Sequence, residues 1–131
     1  MMKSKKPKKQ RVMLYNADLH TKHKFLSAHL SKDLAKRWQK RSLPIRNGDE
    51  VKVMRGEFKG TTGKVSRVDL KRTKIYVESI KRRRVSGEEV RVPLHPSNLL
   101  ITNPSMDDKK RMAAVNRKGE KIVKNEKNSS T

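Results

Sequence analysis

Residues 45–65 constrain the fold more than any other stretch of the chain: Ile-Arg-Asn-Gly-Asp-Glu-Val-Lys-Val-Met-Arg-Gly-Glu-Phe-Lys-Gly-Thr-Thr-Gly-Lys-Val. A Gly48-Asp49 turn leads into alternation, with Val51 and Val53 on one face and Lys52 on the other. That period is the mark of a half-buried strand. Gly56, Gly60 and Gly63 then bracket a loop carrying Phe58 and Lys59, with Arg55 at its entry, and a second strand starts at Gly63. The spacing predicts a tight β-hairpin whose three glycines supply positive φ and let another backbone come close. Arg55 and Lys59 are offered to phosphates. Phe58 has two possible roles, a base platform or a core residue. Core packing is preferred, because only 4% of the chain is aromatic.

The charge says what kind of partner such a hairpin meets. Lys and Arg number 35 against 13 Asp and Glu, a net charge of +22 over 131 residues. Only 32% of the residues are hydrophobic, so a chain of one-domain length cannot bury all of itself. Part of it is expected to become ordered on a partner. A basic excess of this size points to nucleic acid. An anionic membrane would want a broad-faced basic amphipathic helix, and the pattern shows no strong one. No apolar run approaches the roughly 18 residues of a membrane span, and the N-terminus lacks the apolar region of a signal peptide. There is no cysteine, which excludes disulfides, thiol nucleophiles and Cys-ligated zinc and fits an intracellular protein.

The chain divides into a basic N-terminal extension with a short helix (1–43), a strand-rich section (44–103) and a C-terminal helix with a polar tail (104–131). Lys3, Lys5, Lys6, Lys8, Lys9 and Arg11 form an arm that reads as disordered when free; a solvated tail or a localisation signal has the same composition. Residues 12–29 read as extended or irregular, with Tyr15, His20, His23, Phe25 and His29 interleaved with Lys22 and Lys24. Ser31 is a helix N-cap candidate with Asp33 in the first turn. Leu34, Ala35 and Trp38 share one face, and the helix should stop before Pro44. Strands are expected near 50–55, 63–69, 73–80, 88–94 and 98–101, with a bulge or bend between Val65 and Val68. Pro93 and Pro96 limit pairing at that edge. Ser105 is a second N-cap candidate, with Asp107 and Asp108 in the first turn, Arg117 and Lys118 in the last, and Gly119 as the stop.

Lys71, Arg72 and Lys74, and the run from Lys81 through Arg82, Arg83 and Arg84, sit on turns. The bland alternative is a solvated charged turn. Four consecutive cations without local acids repel one another, which calls for counter-charge outside the chain. The loop ends carrying Arg55, Lys59, Arg72 and Lys74 are expected to share one basic rim. His20, His23, His29 and His95 have weak metal-ligand geometry and no thiolates to join them, so RNA stacking or phosphate contact is preferred and no metal or cofactor is expected. The acids are scattered or at caps, Asp49 in a turn and Asp107-Asp108 at a helix start. No catalytic constellation emerges, and neither an enzyme nor a small-molecule substrate is expected.

The segment 45–65 resembles the KOW motif, an RNA- and protein-binding element of small SH3-like barrels. The likeness continues through Ser27-Ala28-His29-Leu30-Ser31-Lys32-Asp33-Leu34, Arg41-Ser42-Leu43-Pro44, Val68-Asp69-Leu70-Lys71-Arg72 and His95-Pro96-Ser97-Asn98. Over about residues 8–118 the chain resembles the archaeal and eukaryotic branch of the KOW-containing large-subunit ribosomal protein family, numbered twenty-four in bacteria and twenty-six in eukaryotes. The resemblance implies a mainly β fold: a small, mostly antiparallel SH3-like barrel with a KOW motif, short flanking helices and basic extensions. It implies a structural constituent of the large ribosomal subunit that binds the 5′ domain of its RNA, acts early in assembly and sits near the peptide exit tunnel, beside neighbouring ribosomal proteins. Such a protein is ribosome-bound in the cytoplasm, and transiently nuclear or nucleolar if eukaryotic.

Carried over to this chain, the RNA-facing residues around the barrel are Arg46, Arg55, Lys59, Lys71, Arg72 and Lys74. The arm and the 15–25 segment, including Tyr15 and Asn16, thread RNA. Arg82-Arg83-Arg84 is more basic than the resemblance leads one to expect and reads as a lineage-specific contact. The alternative function is a KOW module of a transcription elongation factor, which expects a second domain or acidic linkers.

Overall fold

A computed structural model describes residues 3–117. Helix α1 (Pro7–Asn16) and helix α2 (Leu19–Phe25) precede strand β1 (Ser27–Leu30), helix α3 (Lys32–Trp38) and strand β2 (Ser42–Pro44). Then come β3 (Glu50–Val53), β4 (Thr62–Asp69), β5 (Lys74–Val77), the hairpin β6 (Lys81–Arg83) and β7 (Glu89–Arg91), a 3₁₀ turn (Pro96–Asn98) and β8 (Leu99–Asn103). A last helix, α4, begins at residue 109 and runs to the end of the described residues. The expected stop at Gly119, Lys118 and the tail lie outside the described residues.

The fold is mixed rather than mainly β. Six strands form one sheet in the order β2-β1-β8-β3-β4-β5, and β6-β7 stand apart as a two-stranded sheet. The ladder does not close into a barrel. On the free edge of β5 the pairing is reduced to a single bridge, Ile75 with Leu94, each donating its N–H to the other's carbonyl at 2.9 and 2.8 Å. Pro93 and Pro96 flank that bridge, and a residue without an N–H cannot extend it. Pairing is antiparallel except between β1 and β8, where His29 and Leu30 run parallel to Leu100 and Ile101.

The predicted hairpin is β3-β4. Val51 and Val53 are buried and Lys52 is exposed, and Phe58 packs on the core. The predicted irregularity in β4 is a register shift between Val65 and Arg67. In β5, Ile75 and Val77 point inward, and Tyr76 lies on the other face with the Arg67 guanidinium 5.9 Å from its ring centre.

Gly56 and Gly60 have φ of +95° and +89°, the left-handed region expected of them. Gly63 does not; it is required for space. A Cβ there would meet Ser79 Oγ at 2.3 Å and Val77 Cγ1 at 2.7 Å, whereas Gly56 and Gly60 have open space around them. Gly63→Val should therefore lower stability by overpacking, by about 1–3 kcal/mol. Gly56→Val should cost only the roughly 1–2 kcal/mol of a left-handed β-branched residue. Urea unfolding of the two variants checks the order.

The N-terminal extension corrects the expectation most. Of residues 12–29 only 27–29 lie in a strand, β1; most of the rest is helical, and the end of the arm is helical too: α1 starts at Pro7, a proline at the first helical position, where its missing N–H costs nothing. Lys, Gln, Arg, Met and Leu are all good helix formers, so a composition that reads as disorder is equally that of an exposed helix. The carbonyl of Asp18 opens α2 by accepting from Thr21 and Lys22 N–H at 3.0 and 2.9 Å. Helix α3 follows Ser31 as expected and ends at Gln39, which is left-handed at φ 51°. That leaves room for the unexpected β2, which pairs Leu43 with Ala28. Leu34, Ala35 and Trp38 pack on the core.

Helix α4 starts three residues later than Ser105 suggests. Asp108, not Ser105, caps it, its Oδ1 accepting from Lys110 N–H at 3.0 Å. Ser105 N–H instead donates to Asp49 Oδ1 at 2.9 Å. Asp49 is fully buried and Arg111 of α4 is 4% exposed. The Arg111 Nη1 and Nη2 donate to the two Asp49 oxygens at 2.6 Å each, and also to the carbonyls of Ser105 and Pro44 at 2.8 and 3.0 Å. With Arg46 N–H donating to Asp49 Oδ2 at 3.0 Å, one carboxylate ties the turn before β3 to α4.

Candidate nucleic-acid interface

The sequence-predicted cations fall into three sets, and the fold brings two parts of the chain together that the sequence kept apart. A groove of about 740 Å³ opens between α1, α2 and the β4–β5 turn. Arg11 and Tyr15 come from α1, Lys22 from α2, Lys71 and Arg72 from the turn. No acidic residue lines it. The Lys22 Nζ donates to the Lys71 carbonyl at 3.3 Å, which pins α2 to the turn. Asp69 Oδ1 accepts from Arg72 N–H at 3.1 Å, and Thr73 is left-handed at φ 54°, so the turn has a defined shape. Four cations around an exposed ring, with no acid among them, suit a polyanion that also presents flat apolar surface.

The second set is the β3–β4 loop. Gly60 N–H closes it on the Val53 carbonyl at 2.8 Å, and Met54 N–H donates to the Asn98 carbonyl at 2.8 Å. Arg55 and Lys59 are exposed. They do not share one loop cluster with Arg72 and Lys74: the first pair precedes β4 and the second follows it, at opposite ends of the strand. The single rim expected from the sequence is therefore two patches.

The third set is the β6–β7 hairpin, and here the expectation of cations without local acids is overturned. Arg82 pairs with Glu57, Lys81 with Glu89 at 3.4 Å and Arg84 with Glu88 at 3.9 Å. Lys81–Arg83 lie on strand β6 rather than on a turn, and the antiparallel register brings Arg83 opposite Glu89, so the chain supplies counter-charge to this hairpin itself. Exposed pairs of this kind are weak, but they lower the local field.

The remaining predicted residues are scattered. Lys5, Lys6, Lys8 and Lys9 are exposed at the start of α1 and Asn16 is exposed at its end. His20, His23 and Lys24 are exposed on α2. His23 is not among the residues that line the groove; it lines a small cleft with Arg46 and Arg111. Arg46 is partly satisfied within the chain, since its Nη1 donates to Asp108. That bond and the Lys110 N–H hold the Asp108 carboxyl below the usual carboxylate range.

His95 caps the 3₁₀ turn, its Nδ1 accepting from Ser97 N–H at 3.2 Å. Burial, and then the nearby Lys74 charge, push its pKa below the ordinary imidazole value. It is a neutral ring at pH 7. Its contribution to stability is full above the unfolded value of about 6.5 and is lost as pH falls through the lower folded one. No group of three or more His, Asp or Glu among the described residues could hold a metal ion.

Arg67 was not among the predicted residues. It is exposed on β4 beside Tyr76, and the bulge in β4 hid its facing from simple alternation.

The family described as ribosomal proteins L26 (eukaryotic) and L24 (archaeal) matches this chain over residues 4–118. The large ribosomal subunit protein uL24 of Methanosphaera stadtmanae is 46% identical over 115 residues, 88% of this chain and 98% of the relative. Its counterpart in Korarchaeum cryptofilum is 49% identical over 121 residues, 92% of each chain. The hairpin 45–65 and residues 4–43 of the N-terminal extension lie inside the matched span, so the chain belongs to the family of eukaryotic L26 and archaeal L24 ribosomal proteins, structural constituents of the large ribosomal subunit rather than enzymes.

Proposed function

We propose that the chain binds and helps fold large-subunit ribosomal RNA, early in assembly and near the exit of the peptide tunnel, alongside neighbouring ribosomal proteins. The observation that carries the reading is the groove in which Arg11, Lys22, Lys71 and Arg72 gather from three elements without an acid. Like charges assembled this way repel unless a polyanion lies between them. Arg55 and Lys59 on the β3–β4 loop extend the contact, while Lys5, Lys6, Lys8 and Lys9 approach phosphates from the start of α1.

The sheet is read as an opened SH3-like barrel with the KOW motif at β3-β4. The Ile75–Leu94 bridge supports this, because the chain passes from it through Pro96–Asn98 straight into β8. Residues 44–103 act as the RNA-facing module, with 1–43 as an extension that joins its sheet through β1. The place of work is the cytoplasmic ribosome; both relatives are archaeal and lend no support to a nuclear stage. A KOW module of an elongation factor has no support in the family match.

Footprinting of the full chain on isolated large-subunit RNA tests the proposal. Protection should fall within the 5′ domain, and log affinity should fall with log salt by about 0.7–0.9 per phosphate contacted. Binding that shows no salt dependence, or protection confined to other domains, would overturn it.

A further inference from the structure

We propose that the groove between α1, α2 and the β4–β5 turn is a pocket for one unpaired ribonucleotide, its base stacked on Tyr15 and its flanking phosphates on Arg11, Lys22, Lys71 and Arg72. This rests on the reading of the chain as an RNA binder and names the RNA feature that the groove takes.

The chain has five aromatic residues, two Phe, two Tyr and one Trp. Trp38 and Phe58 pack on the core, Phe25 and Tyr76 are partly buried, and Tyr15 stands alone at 83% exposure. No hydrogen bond or packing contact within the described residues accounts for that ring. Its position does: it forms a wall of the groove whose other walls carry cations. The volume, about 740 Å³, lies within the roughly 300–1,000 Å³ of clefts that enclose small ligands. Leu14 and Tyr15 add apolar surface to a site otherwise lined by charge.

A paired helix offers phosphates to such a site but no base face, because its bases are stacked on each other. An unpaired nucleotide offers both, and stacking on an aromatic ring is indifferent to which base it is. The groove is also built in advance. The Lys22–Lys71 bond and the Asp69–Arg72 turn bond hold two of its walls, so little ordering is needed on binding.

Two hairpin RNAs of the same sequence test this with the full chain, one fully paired and one with a single bulged adenosine. Tyr15→Ala should weaken the bulged RNA about tenfold and the paired one by less than roughly twofold. Tyr15→Phe should keep both affinities, since it retains the stacking face. A fluorescent adenine analogue at the bulge should be quenched by the parent and by Tyr15→Phe but not by Tyr15→Ala. Equal loss on both RNAs, or no loss on either, overturns the nucleotide pocket. A parallel variant, Arg11→Gln with Arg72→Gln, should weaken both RNAs. If it does so while Tyr15→Ala changes neither, the pocket falls and the RNA reading stands. If it changes neither RNA, the RNA reading of this groove falls, and a protein partner takes its place.

Discussion

Arg111→Met should lower the stability of the chain by about 3–5 kcal/mol. The side chains of Asp49 and Arg111 are 0% and 3% exposed. Removing the guanidinium strands a carboxylate that has no access to water, with only the Arg46 and Ser105 N–H groups left to it. Asp49→Ala should be comparably damaging, because it leaves a buried guanidinium with two carbonyls but no counter-charge and the Arg46 and Ser105 N–H groups unpaired. Asp49→Leu combined with Arg111→Met should cost less than the sum of the single changes, since an apolar pair of similar volume leaves no buried charge. Urea unfolding of the three variants checks this. A loss below about 1 kcal/mol for Arg111→Met would mean that the pair is solvated in solution. Domains are commonly stable by only about 5–15 kcal/mol, so α4 and the turn before β3 depend on one another through this contact.

Arg11→Gln, Lys71→Gln and Arg72→Gln, made together, should reduce affinity for the 5′ domain of large-subunit RNA by an order of magnitude or more and lower the salt slope by about 2–3. The same three changes should move stability by no more than about 0.5 kcal/mol each, because the side chains lie at the rim of an open groove. Arg82→Gln with Arg84→Gln is the matched control. Those cations already face Glu57 and Glu88, so their removal should shift the slope less. Equal slopes for the two sets would put the RNA on the hairpin as much as on the groove. Salt titrations by filter binding, paired with melting curves, separate the two outcomes.

The parts of this fold that were legible in the sequence are those fixed by neighbours along the chain. Alternation at Val51, Lys52 and Val53 and the glycines beyond it specify β3-β4. The apolar spacing of Leu34, Ala35 and Trp38 specifies α3, and the broken alternation at Val65 and Val68 specifies the bulge. What escaped is set by contacts between distant residues. Asp49 and Arg111 are 62 positions apart, and nothing local marks them as partners. The one available sign is that Arg111 lies four residues before the buried Val115, on the face of α4 that turns inward. Glu57, which neutralises Arg82 from 25 residues away, is hidden for the same reason.

The helices α1 and α2 escaped on different grounds. None of their residues is buried, so they lack the apolar stripe by which a helix is normally read. Of the site, the individual cations were legible as cations. Their division into a groove, a loop and a self-neutralised hairpin was not, because it depends on which ends of which strands meet.

The position of β8 has a consequence for how the protein is made. This strand, at residues 99–103, is flanked in the sheet by β1 and β3. Until it arrives, the β1–β2 pair and the β3–β4–β5 meander have no hydrogen bonds to each other across the sheet. The ribosome delivers the chain from its N-terminus, so most of the protein is synthesised before its middle strand exists. Synthesis passes residue 103 and continues to Arg111 before the buried carboxylate of Asp49 meets its partner. The sheet is thus completed by its last-made segment. A chain interrupted at residue 98 would emerge with the β1–β2 pair and the β3–β4–β5 meander as separate fragments, joined only by the turn before β3, each with an unpaired edge open to misassociation.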